Sequence, residues 1–179
     1  MVTQYVRIPQ DRIGVLIGNN GIVKGNIERK ADTTIEVDSI EGEVCIEGRE
    51  RGDPLKALRA VDVVKAIGRG FSPENAFTLL DDDFLLFDTI SLAHLTPKTL
   101  RRVKGRVIGR NGRTRRAIEN LAGVKLAVYG KTIAMIGYSH QIRTAHDAIE
   151  ILMRGAPHSS VYLFLERRKR AAEEEREEW

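Results

Sequence analysis

The chain has one cysteine in 179 residues, so no internal disulfide can staple it. Cys45 lies in the strand-like run Val44-Cys45-Ile46 and reads as a small, partly buried hydrophobe whose role is packing. No stretch approaches the roughly 18 consecutive apolar residues of a membrane-spanning helix. Nor does the N-terminus show the charged, apolar and small-residue order of a secretory signal. A cytoplasmic protein is expected. With 42% hydrophobic residues, the chain can bury one large core or two small ones.

Catalytic patterns are missing as well. Gly130-Lys131-Thr132 has the end of a phosphate-binding loop, but Lys125 stands where that loop needs its first glycine, so the tripeptide reads as a hairpin turn. His94, His140, His146 and His158 show no metal-ligand spacing. Asp81, Asp82 and Asp83 could suggest Mg²⁺, but consecutive side chains at a helix end point apart, and a solvated linker is the simpler reading. No nucleophile and base stand in a recognisable constellation. The chain is therefore expected to be non-enzymatic, with no cofactor and no metal.

One further absence is local. Between positions 96 and 116 lie nine basic residues, Lys98, Arg101, Arg102, Lys104, Arg106, Arg110, Arg113, Arg115 and Arg116, with no acid among them. Segment 96–154 carries 13 basic against 3 acidic side chains, while the first 80 residues carry 11 against 12. The whole positive excess of the chain, net +4, thus comes from one segment. A solvated helical face usually mixes signs to gain i,i+4 pairs, so an unrelieved cluster argues for an anionic ligand over generic basic surface.

Inside that segment Gly109-Arg110-Asn111-Gly112 reads as a G-x-x-G turn between two helices. Glycines at its ends let another backbone come close. The helix that follows starts with free N–H groups and a positive dipole end, which suits phosphate. The arginines around it supply the guanidinium forks that phosphate prefers.

The motif occurs twice. Ile17-Gly18-Asn19-Asn20-Gly21 precedes Ile108-Gly109-Arg110-Asn111-Gly112 by 91 positions, and at that offset Ile27 pairs with Ile118, Ala31 with Ala122, Ile35 with Leu126 and Val37 with Val128. Arg69-Gly70 and Arg154-Gly155 continue the repeat at an offset of 85. Two copies of a module of about 70 residues fit the size of a minimal core.

Each copy reads as β-α-α-β-β-α from its periodicity. In the first, strands are predicted near residues 4–8, 34–37 and 43–47, and helices over 11–17, 21–30 and from Asp53 to Gly68, with Pro54 at a first helical position. In the second, strands are predicted over 88–94, 125–129 and 133–136, a helix capped by Thr96-Pro97, and a last helix over 140–153. Ser72-Pro73-Glu74 caps a short linker helix expected to pack between the modules. The tail from about Ser159 places its basic half before its acidic half, against the helix dipole, and fraying beyond Arg170 is expected.

These features resemble the K homology (KH) domain in its type I arrangement, twice over. The resemblance implies an α+β fold of two type I KH domains, at 1–70 and 84–155, with a linker helix at 71–83 and a C-terminal helix at 156–179. It also implies a single-stranded RNA ligand, because KH turns clamp about four nucleotides while an apolar groove takes the bases. On this reading the RNA-binding residues are Gly18, Asn19, Asn20 and Gly21 in the first module. In the second they are Lys104, Arg106, Ile108, Gly109, Arg110, Asn111, Gly112, Arg113, Arg115 and Arg116. Parts of Val107, Ile108, Ile118, Val124 and Leu126 would line the groove.

More narrowly, the stretches GFSPENAFTLL, RRVKGRVIGRNGRTRRAIE, VYGKTIAMIG and GAPHSSVYLFLERRKR resemble archaeal relatives of the "partner of Nob one" and Krr proteins. That resemblance implies a ribosome biogenesis factor that binds the 3′ end of small-subunit rRNA during its processing. A Nob-type endonuclease and the alpha subunit of initiation factor two are implied as partners. An exosome-associated or regulatory KH protein is the alternative, and no S1-type run of strands precedes Gly18 to favour it. The eukaryotic members have an eroded first turn, whereas Gly18 and Gly21 are intact here. The near-neutral first module and its asparagine turn assign the main RNA grip to the second.

Overall fold

The structure, a computed structural model, describes residues 1–179. It separates into two units, Met1–Phe87 and Asp88–Trp179, each with its own core.

The first unit runs β1 (Thr3–Arg7), α1 (Gln10–Ile17), a one-turn 3₁₀ segment, α2 (Ile22–Ala31), β2 (Thr33–Val37), β3 (Glu43–Gly48), α3 (Pro54–Gly68) and α4 (Pro73–Asp81). Its sheet is antiparallel in the order β1-β3-β2. Val44 on the central strand faces both Val6 and Val37, and Ile46 faces Ile35, so one sheet face is apolar and meets the helices. The opposite face carries Tyr5, Cys45 and Glu36 in one row. Cys45 is half-buried there, and burial first, then Glu47, Glu36 and Glu43, pushes its thiol up. Helix α4 packs on α3 and α2 of this unit, with Ala76 and Leu79 fully buried.

The second unit repeats the plan with β4 (Leu86–Ser91), α5 (Pro97–Ile108), a second 3₁₀ turn, α6 (Arg113–Ala122), β5 (Lys125–Tyr129), β6 (Thr132–Gly137), α7 (Ser139–Met153) and α8 (His158–Glu177). The sheet order β4-β6-β5 matches the first. Tyr129 faces Thr132, which leaves Gly130-Lys131 as the predicted hairpin turn, with Gly130 at φ 55°. Strand β4 ends at Ser91 instead of reaching His94, because the buried Leu92 turns its N–H to the Lys131 carbonyl at 2.7 Å and accepts from Leu95 at 3.1 Å.

Local chemistry sets the helix starts. Asp53, Ser72 and Thr96 each accept a hydrogen bond from the second or third helical N–H, and each is followed by proline at the first helical position. Helix α8 is continuous to Glu177, where fraying beyond Arg170 was expected. Val161 and Leu165 bury its first half against α6 and α7, and Arg168 adds an ion pair to Asp147 at 3.4 Å. Beyond them, the alanine, glutamate and arginine composition has high enough helix propensity to outweigh an unfavourable dipole.

Candidate nucleic-acid interface

The two G-x-x-G turns have the same backbone. Gly18 sits at φ 74°, ψ 176° and Gly109 at φ 73°, ψ 174°. Asn20 and Asn111 both occupy the left-handed region, at φ 53°, ψ 29° and φ 54°, ψ 29°. A Cβ on Gly109 would lie 2.2 Å from Thr114 Oγ1, and one on Gly18 would lie 2.5 Å from Val23 Cγ2. These glycines are therefore required by space as well as by φ. Asparagine is the residue that tolerates the left-handed region best after glycine, so backbone conformation explains Asn20 and Asn111. Chemistry differs at one turn position, Asn19 against Arg110.

The surroundings diverge more. Helices α2 and α6 both start without a side-chain cap, which leaves their first N–H groups to solvent or a ligand. After the first turn come Ile22, Val23 and Lys24, and Lys24 is paired to Glu28 at 3.4 Å. After the second come Arg113, Thr114, Arg115 and Arg116. Arg110, Arg113 and Arg116 are exposed and form no ion pair, as are Arg101 and Arg102 on α5. Arg115 is half-buried, and its Nε is shielded from water without a hydrogen-bond partner. Lys104 and Ile108 are half-buried on α5.

Two sequence expectations need correction. Arg106, predicted to touch RNA, spends its guanidinium on the end of α7: Nε donates to the Leu152 carbonyl at 3.1 Å and Nη2 to that of Ala156. Arg12 does the same for α3, donating to the carbonyls of Ile67 and Phe71, both at 2.8 Å. The repeat offset of 85 equates Ile67 with Leu152 and Phe71 with Ala156, so one device is built twice. The Ile67 and Leu152 carbonyls already accept from the N–H groups of Gly70 and Gly155, both at 3.1 Å, so the forked cation adds a second, charged donor at the negative end of the helix dipole. Second, Val107, Ile118, Val124 and Leu126 do not line an open groove. All four are buried in the core of the second unit, and of the predicted set Ile108 alone stays partly exposed. Helical spacing aims Val107 and Ile118 inward, and the strand alternation that buries Leu126 on β5 does the same there.

Glu28 and Glu119 also show a repeated structural role, each accepting from a strand N–H, that of Ile35 at 2.8 Å and of Leu126 at 3.1 Å. The acids at 81–83 do not converge: Asp81 pairs with Lys30 at 3.6 Å, Asp82 accepts from the Phe84 N–H, and the Asp83 carbonyl accepts from Arg59. His146, Asp147 and Glu150 do bring ligand atoms within 4.8 Å, but the carboxylates are already paired with Arg168 and Arg154.

Sequence reasoning missed the second wall of the site. A cleft of about 550 Å³ opens beside the turn, lined by Arg101, Arg102, Gly105, Arg110, Arg113 and, from α8, His158 and Tyr162. The Tyr162 hydroxyl lies 3.2 Å from Thr114 Oγ1, and His158 Nε2–H donates to the Arg106 carbonyl at 3.0 Å. The i,i+4 spacing of His158 and Tyr162 was the only local signal of a shared face.

Residues 86–170 match the eukaryotic-type KH domain (KH-domain type I) family, in the form of the second domain of PNO1. A KH domain-containing protein of Methanocaldococcus jannaschii is 43% identical over 169 residues, covering 93% of this chain and 74% of that protein. The pre-rRNA-processing protein pno1 of Schizosaccharomyces pombe is 33% identical over 121 residues, covering 65% of this chain and 49% of the relative, so the chain spans about half the length of that relative. Among solved structures, the crystal structure of the a/eIF2alpha–aDim2p–rRNA complex from Pyrococcus horikoshii contains a chain 50% identical to this one, with a TM-score of 0.90 and 95% of each chain covered. No helix here is long and apolar enough to cross a membrane. With two type I KH units, an intact turn in each, and likeness along nearly its whole length, the chain belongs to the PNO1/Dim2 family of KH-domain proteins.

Proposed function

We propose that this chain is a non-enzymatic single-stranded RNA-binding factor that acts in maturation of the 3′ end of small-subunit rRNA, in the cytoplasm. Its KH modules are taken as 1–70 and 84–155, and the second supplies the main grip. One observation carries the assignment: two turns of the same conformation exist, and only the second stands in a field of unpaired arginines. Gly109, Arg110, Asn111 and Gly112 hold the backbone, the N-terminus of α6 favours a phosphate, and Arg113, Arg115 and Arg116 supply charge. Lys104 and Ile108 flank the turn on α5. Gly18, Asn19, Asn20 and Gly21 make a weaker second contact or position the first. By relation to the Pyrococcus complex, rRNA and the alpha subunit of initiation factor two are the partners. A Nob-type endonuclease is the enzyme this factor would present its RNA to.

The test is fluorescence anisotropy with a labelled oligonucleotide from the 3′ terminus of small-subunit rRNA. For single strands log affinity falls with log salt at about 0.7 per neutralised phosphate, so roughly three to five contacts give a slope of about −2 to −4. Replacing Arg115 and Arg116 by glutamine flattens it. An unchanged slope in that variant places the electrostatic grip elsewhere, and RNA turnover with Mg²⁺ and ATP present would overturn the non-enzymatic reading.

A further inference from the structure

The cleft between α5 and α8 is a separate feature of the second unit. Its lining comes from α5, the turn, the start of α6 and α8, and includes no residue of β5. Four exposed guanidinia converge on it, from Arg101, Arg102, Arg110 and Arg113, and no acid lines it. At the repeat offset the first unit has Gln10, Asp11, Asn19 and Ile22 in their places, so the charge is not a by-product of the fold.

One further detail leaves room for an occupant, and a second points to it. Gly105 lies mid-helix and exposed on the cleft floor, and a Cβ there would meet nothing within 4 Å. Glycine weakens a helix, and Gly14 stands at the same place in the first unit, also with nothing within 4 Å, so the glycine is a feature of the repeat that leaves α5 open to close approach, and the arginines and Tyr162 are what single out this cleft. The Tyr162 ring is held by its hydroxyl on Thr114, and His158 by its Nε2 on the Arg106 carbonyl, with ring centroids 6.5 Å apart. Rings anchored at one edge and presented to a basic cleft have the makeup of a stacking platform, already ordered before a base arrives.

We infer that this cleft is a second nucleic-acid subsite, which takes the phosphate and base of a nucleotide flanking those held on the turn. Arg101 and Arg102 bind the phosphate, Gly105 lets the sugar–phosphate chain approach α5, and Tyr162 stacks the base. The inference rests on the proposed RNA clamp and extends its footprint from the turn to α8.

The experiment compares labelled single-stranded RNAs of four and eight nucleotides, nested in the 3′-terminal small-subunit sequence, and reads the ratio of their affinities. Wild type should show a gain from four to eight nucleotides. A stacked base is worth roughly five- to a hundredfold, so loss of the Tyr162 ring should cut that ratio about tenfold, and R101Q/R102Q, which removes the phosphate contacts, should lower it as well. Y162F, which keeps the ring but loses its anchor on Thr114, should lower the ratio only slightly, and Y162L should lower it much more. G105A should lower it while raising the melting temperature, which separates lost binding from lost folding. If R101Q/R102Q lowers both affinities equally, or wild type gains nothing from length, the subsite is refuted and the clamp stands. If wild type binds neither RNA, the clamp reading fails first and takes the subsite with it.

Discussion

Replacing Arg110 and Asn111 by aspartate turns the second clamp against its ligand without touching the glycines that shape it. The change removes one positive charge and adds two negative ones, three units in all, whereas Asn19 and Asn20 to aspartate adds two. At 4 Å in water a unit charge is worth about 1 kcal/mol, and a Debye length of about 8 Å at physiological salt reduces this to about 0.6 kcal/mol. The second-turn variant therefore loses about 1.8 kcal/mol by charge alone. The missing charge-assisted hydrogen bond of Arg110 adds about 1.5 to 3 kcal/mol. Together these make a hundredfold loss or more. The first-turn variant loses at most about 1.2 kcal/mol, roughly tenfold, and nothing if that turn holds no RNA. Folding should survive both, because aspartate tolerates the left-handed region and new carboxylates at the uncapped starts of α2 and α6 favour the helix dipole. Anisotropy with one 3′-terminal oligonucleotide reads the losses, and circular dichroism melts run beside it. Equal losses, or a larger one from the first pair, would refute the division of labour, and a fall in melting temperature would refute the backbone argument.

Arg106→Ala should destabilise the second unit by about 2 to 4 kcal/mol in a urea melt, because the carbonyls of Leu152, in the last turn of α7, and Ala156, just past it, lose a charged donor. Arg12→Ala should do likewise in the first, and Arg106→Lys should recover less than half, since an ammonium cannot fork across two carbonyls. Gly109→Ala should cost more than Gly112→Ala: the first meets Thr114 Oγ1 at 2.2 Å as well as a positive φ, while the second meets nothing nearer than Arg116 Nη1 at 3.4 Å and pays only about 1 kcal/mol of left-handed strain. Burial raises the carboxyl of Asp62 above its ordinary value despite Lys65 and Arg59, so its charged form opposes folding at neutral pH. Asp62→Asn should accordingly raise the melting temperature at pH 7, and the difference should shrink as pH falls through the folded and then the unfolded carboxyl range, where wild type is protonated too; an equal shift at pH 7 and pH 3 would contradict this.

The parts of the fold that were legible are those written within a few residues. Asp53-Pro54, Ser72-Pro73 and Thr96-Pro97 set helix starts through bonds two or three residues long, and Gly130-Lys131 is a turn whose partners are its immediate neighbours. The G-x-x-G turns are local in the same sense, since glycine and asparagine report the left-handed backbone directly. The placing of α4 was not legible: an amphipathic helix announces an apolar face but not which neighbour receives it, and α3 and α2 of its own unit do. Helix α8 was partly so, its buried Val161 and Leu165 being readable and the cleft wall formed by Tyr162 not.

The amino-acid order alone settles that two copies of one α+β module exist, that each holds a G-x-x-G turn, and that positive charge gathers at the second. Repetition, turn chemistry and net charge are carried by short-range patterns and simple counts. Which arginines are free to meet a ligand is decided only by the tertiary structure. Arg106 is claimed by carbonyls of α7 and the α8 approach, His158 by the Arg106 carbonyl, and Tyr162 by Thr114, partners 46 to 52 positions apart in the chain. The groove residues follow the same rule, because helical periodicity shows that Val107 and Ile118 share an apolar face but not that the strand and helix opposite close over it. A guanidinium or an apolar side chain has the same local signature whether it caps a distant helix, fills a core or faces solvent, and only packing across the fold assigns it to one.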